Sequence, residues 1–183
     1  SPRTRISGNV YSSTEYSSAK KIALHNELSY SAKWPGKLFL SCLKPASSGG
    51  ETTLGDSAAI LREMNPQIVK EIEEKGVKYI RNLHGGVGLG PSWQETFEIE
   101  DKQELINYCK NYNIDLEWKD DNAVRLSQYS KGIINHRTTG KKLWFNQIDQ
   151  FHAIQLGDEI FEMMKEMYDD LDDFPQHVKF GND

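Results

Sequence analysis

The 183-residue sequence predicts a mainly β fold with flanking helices, a curled sheet or double-stranded β-helix (jelly roll) buttressed on one side. Three observations carry this expectation. Short apolar segments are punctuated by Pro and Gly, two capped helices lie in the first half, and a run of hairpin-like segments fills the second. A chain of this length fits one domain over residues 1–183 and can bury a sizeable core.

Two strands are expected first. Lys21 to Tyr30 and Lys37 to Leu43 are rich in apolar and aromatic residues, and Pro35-Gly36 and the stretch from Pro45 to Gly50 bound them. Asp56 is placed to cap a helix through Ala58, Ile60 and Leu61. Asn65-Pro66 starts another through Ile68, Val69 and Ile72, which Gly76 stops at the C′ position.

Strand character returns at Val77 to Ile80 and gives way to a Gly-rich loop, Gly85 to Gly90, expected to act as a lid, before Trp93. A third helix is expected from Asp101, with Glu104 completing a capping box and Leu105, Ile106, Tyr108 and Cys109 as its buried side. The segments LEW, AVRL, GIIN and KLWFN between Leu116 and Asn146 alternate with turns and predict hairpins, the last two joined across Thr138 to Gly140. Leu156 to Met167 reads as an amphipathic helix ahead of an acidic stretch at Asp169 to Asp173.

Charge narrows the function classes. With 22 basic and 27 acidic residues, net −5, the chain lacks the basic footprint of a nucleic-acid binder. No apolar run reaches the roughly 20 residues that span a bilayer, and the polar start SPRTRISGN has no apolar signal-peptide core. Cys42 and Cys109 follow no pairing pattern and read as reduced thiols. A soluble, cytoplasmic protein without a membrane or nucleic-acid partner is the expectation.

His25-Asn26-Glu27 is the first candidate for chemistry, because in a strand residues i and i+2 point to one face and can bind one metal ion together. The triplet alone carries little weight: with five histidines and 27 acidic residues, about one such triplet is expected by chance. Its context carries more. An apolar segment follows, then Pro45-Ala46-Ser47-Ser48-Gly49-Gly50-Glu51-Thr52-Thr53. Trp144-Phe145-Asn146-Gln147 sets two amides after an aromatic segment, where a sheet would meet a substrate pocket. His84 beside Gly85-Gly86 has no phosphate-loop spacing, and His136, His152 and His177 are expected on hairpin or helix surfaces.

The His-x-Glu triplet followed by the GGET turn resembles the taurine dioxygenase family. The longer strings LHNELSYSAKWP, LFLSCLKPASSGGETTLGD, GVKYIRNLHGG, SWQETFE and LWFNQIDQFH are similar to its clavaminate synthase-like enzymes and to hydroxylases of nonribosomal peptide pathways. The resemblance implies an Fe(II)- and 2-oxoglutarate-dependent oxygenase. His25 and Glu27 would be two of the three metal ligands, and the Thr52 hydroxyl would bond a carboxylate of 2-oxoglutarate. Two histidines and a carboxylate on one side of iron leave positions for 2-oxoglutarate and O2.

The implied reaction hydroxylates an unactivated C–H bond of an amino-acid-like substrate, free or tethered to a carrier protein, while 2-oxoglutarate becomes succinate. Asn146 and Gln147 would face the substrate. Glu27 stands where related halogenases have a small residue, so halogenation is not expected. The family pattern also has a distal histidine followed by an arginine, and no segment up to Asp183 matches it. An incomplete portion of a longer protein is therefore expected. The competing expectation is a noncatalytic homologue that binds a small carboxylate without metal.

Overall fold

The computed structural model describes residues 4–8, 10–12 and 22–182. A short antiparallel pair, β1 (Arg5–Ser7) and β2 (Val10–Tyr11), opens it, and the next regular element among the described residues is α1 (Ser57–Glu63). Its N-cap Asp56 accepts hydrogen bonds from the backbone N–H groups of Ala58 and Ala59. Asn65 caps α2 (Pro66–Lys75) in the same way, with Pro66 in the first turn, and Gly76 ends it at a φ of 68° that favours glycine.

There follow β3 (Val77–Leu83), α3 (Trp93–Phe97), α4 (Lys102–Asn111), β4 (Asp115–Trp118), β5 (Val124–Ser130), β6 (Ile133–Asn135), β7 (Lys142–Trp144), α5 (Ile148–Phe151), α6 (Asp158–Met167) and β8 (Gln176–Phe180). Asp101 caps α4 through the Glu104 N–H at 2.9 Å. The reciprocal capping box lies instead at the start of α3, where Ser92 and Glu95 bond each other's backbone.

β4, β5, β3 and β8 form an antiparallel sheet in that order, and β6 pairs with β7 as the hairpin that the sequence predicts. Register sets Arg81 opposite Leu126, Leu83 opposite Val124, and Tyr79 opposite Val178. These residues, with Val77, therefore share one face. Two apolar clusters cover that face. Leu83, Val124 and Leu126 pack with Trp93, Leu105 and Cys109, while Val77, Tyr79 and Val178 pack with Ile72, Ile133 and Phe151. The opposite face carries Ile80 and His177, the latter beside Phe174, which packs with Phe161 and Tyr168.

Several expectations need correction. The strands form one four-stranded and two two-stranded sheets and no closed barrel among the described residues, so the jelly-roll expectation is met only as antiparallel sheets with flanking helices. Residues 22–30 form no strand, and Lys21 lies outside the described residues. Leu28 has a φ of +55°, a left-handed conformation that breaks an extended run. Ser29 and Ser31 then close turns onto the carbonyls of Asn26 and Leu28.

Lys37 to Leu43 pairs with no strand among the described residues either. Phe39 and Leu43 are 90% and 88% exposed, so the apolar side chains that suggest a strand find no surface to cover among the described residues. The helix expected from Leu156 starts at Asp158, because Gly157 at φ +96° separates it from a 3-10 turn over Ala153–Leu156. Cys42 is exposed, Cys109 is buried, and both are free thiols. No helix among the described residues is long and apolar enough to cross a membrane.

Candidate functional site

The His25 segment is held by side chains rather than by a strand ladder. Asn26 Nδ2 donates to the Trp144 carbonyl at 3.2 Å and to that of Asn146 at 3.5 Å, and Asn26 Oδ1 accepts from Ser57 Oγ at 3.1 Å. Ser29 Oγ donates to Gln147 Oε1 at 3.3 Å, and the Ser29 carbonyl accepts from Ser130 Oγ at 3.2 Å. The two segments singled out in the sequence, His-Asn-Glu and Trp-Phe-Asn-Gln, are thus bonded across about 120 positions of chain.

The second segment is itself fixed to the sheet. The backbone N–H of Gln147 donates to the Tyr79 hydroxyl at 2.9 Å, and Asn146 Nδ2 donates to the Gly132 carbonyl at 3.0 Å. Asn146 Oδ1 accepts from the Ile148 N–H and Gln147 Nε2 donates to Gln150 Oε1. Burial pushes the Tyr79 hydroxyl up to about 12, so it stays protonated over the working range.

His25 Nε2 stands 3.5 Å from Glu27 Oε2, both side chains about one-quarter exposed. The ring's other nitrogen, Nδ1, is 2.9 Å from the Ala23 carbonyl, an acceptor only, so the neutral ring carries its proton there and turns a lone pair toward Glu27. Two ligand atoms each about 2.1 Å from one ion and at right angles stand about 3 Å apart. Donor type and spacing therefore fit two adjacent ligands of an Fe(II) ion, although the strand geometry expected to align them is replaced by a turn. No group of three His, Cys, Asp or Glu residues that could hold a metal occurs among the described residues.

Beside His25 opens a cavity of about 670 Å³. Its walls are largely apolar, with Ile60 and Ile68 from the two early helices, Met64 from the link between them, and Val178 and Phe180 from β8. His25 and Asn146 line it; Glu27, Thr52 and Gln147 do not. Thr52 lies in an exposed irregular stretch, after Gly49 and Gly50, which take φ of 68° and 84°.

Sequence reasoning missed the far wall. His152 and His177 line the same cavity with ring centroids 5.3 Å apart, and His177 is buried on β8, not on a surface. Among the described residues its Nδ1 has no hydrogen-bond partner. Burial first, then the neighbouring His152, holds its imidazole below the usual histidine range, so the ring is neutral near pH 7. His152 Nδ1 accepts from the Ile154 N–H, and His136 sits exposed at the β6–β7 turn as expected. His84 pins the Gly-rich loop: its Nδ1 accepts from the Gly86 N–H, so Nε2 carries the proton donated to the Gly90 carbonyl at 2.9 Å.

The chain matches the sequence profile of the Taurine catabolism dioxygenase TauD, TfdA family over residues 2–178. It is 37% identical to the dapdiamide synthesis protein DdaC of Enterobacter agglomerans, across 98% of this chain and 54% of that protein. It is 28% identical to a clavaminate synthase-like protein of Arabidopsis thaliana, across 80% of this chain and 47% of that one. The chain thus spans about half the length of the curated relatives it matches. A profile match over nearly every residue, together with the bonded His-Asn-Glu and Trp-Phe-Asn-Gln segments, makes the chain a member of the TauD/TfdA family of dioxygenases.

Proposed function

We propose that this chain carries two metal ligands and part of the substrate cavity of an oxygenase that uses Fe(II), 2-oxoglutarate and O2. The reaction would hydroxylate an unactivated C–H bond of a small amino-acid-like substrate, free or tethered to a carrier protein, one oxygen atom of O2 going to the product and the other to succinate as 2-oxoglutarate loses CO2. The observation that carries this reading is the 3.5 Å approach of His25 Nε2 to Glu27 Oε2 beside an apolar cavity, in a chain of a dioxygenase family. The similarity to DdaC, a dapdiamide synthesis protein, supports a biosynthetic setting. The free thiols agree with a cytoplasmic one.

The chain's own residues bind, orient and exclude water. His25 presents Nε2 because Ala23 holds the proton on Nδ1, and Glu27 adds the anionic oxygen. Asn26, between them, fixes both by tying their backbone to the Trp144 and Asn146 carbonyls. Thr52, two residues after the positive-φ pair Gly49-Gly50, would donate its hydroxyl to a carboxylate of 2-oxoglutarate. Asn146 keeps a place on the substrate wall, while Gln147 supports it from behind, its amide engaged with Ser29 and Gln150. The apolar wall keeps water from the reacting carbon. Iron and 2-oxoglutarate, when bound, supply the oxidative chemistry.

The intact protein, given Fe(II), 2-oxoglutarate and air with a panel of amino acids, is expected to form succinate together with a product one oxygen heavier. Uptake of 2-oxoglutarate without metal and without succinate formation points instead to the noncatalytic carboxylate-binding homologue.

A further inference from the structure

Arg81 is a cation on the core face of the sheet. On β3 it lies between Tyr79 and Leu83, which are 2% and 6% exposed, and it stands opposite Leu126, which is 1% exposed. Among the described residues its guanidinium has no carboxylate in ion-pairing range and donates no hydrogen bond. Its near neighbours are two rings, Tyr30 at 5.6 Å and Phe97 at 5.3 Å from ring centroid to guanidinium carbon. The groups that interact with it electrostatically are the phenols of Tyr30 and Tyr108 and the thiol of Cys109, not acids of the carboxylate kind.

Magnitudes make this arrangement incomplete. A cation–π contact offsets only a small part of the cost of desolvating an ion, even after relaxation. Neither ring accepts a conventional hydrogen bond from the guanidinium's five N–H groups. Desolvation accordingly pulls its pKa down, with the nearby phenols opposing. The group is not sealed either: Arg81 is only partly buried, and none of its nitrogens is among the buried side-chain atoms that lack a partner. An acceptor can therefore reach it.

We propose that Arg81 is a binding residue for the carboxylate of a small molecule, taken by the guanidinium fork with the Tyr30 and Tyr108 phenols beside it. A planar carboxylate meets the fork with two parallel hydrogen bonds, which a sulfur or a neutral carbonyl cannot match. Tyr30 follows Glu27 by three residues in the chain, while Arg81, Tyr30 and Tyr108 lie outside the lining of the cavity beside His25. The ligand class rests on the oxygenase reading, in which the amino-acid substrate and 2-oxoglutarate both carry carboxylates; the unpaired cation stands without it.

The test is a titration of the metal-free full chain, followed through the arginine Nε–Hε NMR signals, with the Arg81 signal assigned by its loss in Arg81→Lys. Acetate serves as the minimal probe, L-alanine and 2-oxoglutarate as the two sources, and propylamine and inorganic phosphate as controls. Acetate and at least one source are expected to move the Arg81 signal saturably, and Arg81→Lys is expected to weaken that source, followed by calorimetry, about tenfold or more. A response to L-alanine assigns the substrate, and one to 2-oxoglutarate alone assigns the cosubstrate. An Arg81 signal that stays fixed in folded wild-type protein, or that moves only with phosphate, overturns the proposal. Mn(II) uptake on the same preparation keeps the two readings apart: uptake with a fixed Arg81 signal removes the anion site alone, and a moving signal without uptake removes the metal reading alone.

Discussion

Asn26 Nδ2 donates to the Trp144 carbonyl at 3.2 Å, which ties the residue between the two candidate ligands to the end of β7. Replacing Asn26 with Leu leaves the Trp144 carbonyl and the Ser57 hydroxyl without this partner. A buried polar group left unsatisfied costs about 1–3 kcal/mol. Asn26→Leu is therefore expected to lower the unfolding free energy from chemical denaturation by that amount and to weaken Mn(II) binding, while Ser57→Ala does less of both. An Asn26→Leu protein that binds metal as the wild type does would mean that the amide does not position the ligands.

Tyr79 predicts a stability window at high pH. Its hydroxyl ionises at about 12 in the folded chain, against 10.0 for the ordinary phenol. The unfolded chain loses the proton first, so the stabilisation is fully present below pH 10 and fades as pH rises toward 12. Two pKa units correspond to about 3 kcal/mol. Urea melts at pH 9 and pH 11.5 are expected to show about two-thirds of this loss in the wild type and none of it in Tyr79→Phe. The Phe variant is also weaker at neutral pH, because the Gln147 N–H loses its acceptor.

His177 predicts the opposite slope. Its folded pKa is depressed by burial and by His152, so the neutral ring contributes stability above the ordinary histidine value of 6.5 that is lost as pH falls below it. Denaturant midpoints at pH 7.5 and 5.5 should therefore differ more in the wild type than in His177→Gln, which cannot titrate. Equal slopes in the two proteins count against a neutral buried imidazole.

Gly132 holds the β5–β6 connection at φ +70°, and a Cβ there would stand 2.6 Å from Ile72 Cγ2 and 2.9 Å from Val77 Cγ2. Its carbonyl accepts from both Asn146 Nδ2 and the Phe145 N–H. Gly132→Ala combines left-handed strain with overpacking, together about 2–5 kcal/mol. A large drop in melting temperature is expected. A variant as stable as the wild type shows that this close approach is not needed.

What the sequence makes legible is largely local. Asp56, Asn65-Pro66 and Gly76 mark helix ends because capping chemistry acts within four residues, and the β6–β7 hairpin is marked by its turn. Apolar content misleads at Phe39 and Leu43, where exposure depends on what packs there and not on composition. The link between His25-Asn26-Glu27 and Trp144 to Gln147 depends on single side-chain hydrogen bonds across the fold, which no periodicity encodes. His177 escapes notice for a related reason. Its burial follows from pairing with Ile80 across nearly a hundred positions. Arg81 sits in an apolar-flanked stretch whose strand character is plain, but only the register with Leu126 puts its charge on the core face.

The claim that His25 and Glu27 hold iron together is tested most directly by the visible spectrum of the intact protein mixed anaerobically with Fe(II) and 2-oxoglutarate. A weak charge-transfer band is expected in the wild type, diminished in both Glu27→Ala and His25→Ala while circular dichroism stays unchanged. A folded wild-type protein without the band, or a Glu27→Ala protein that keeps it at full strength, contradicts the account.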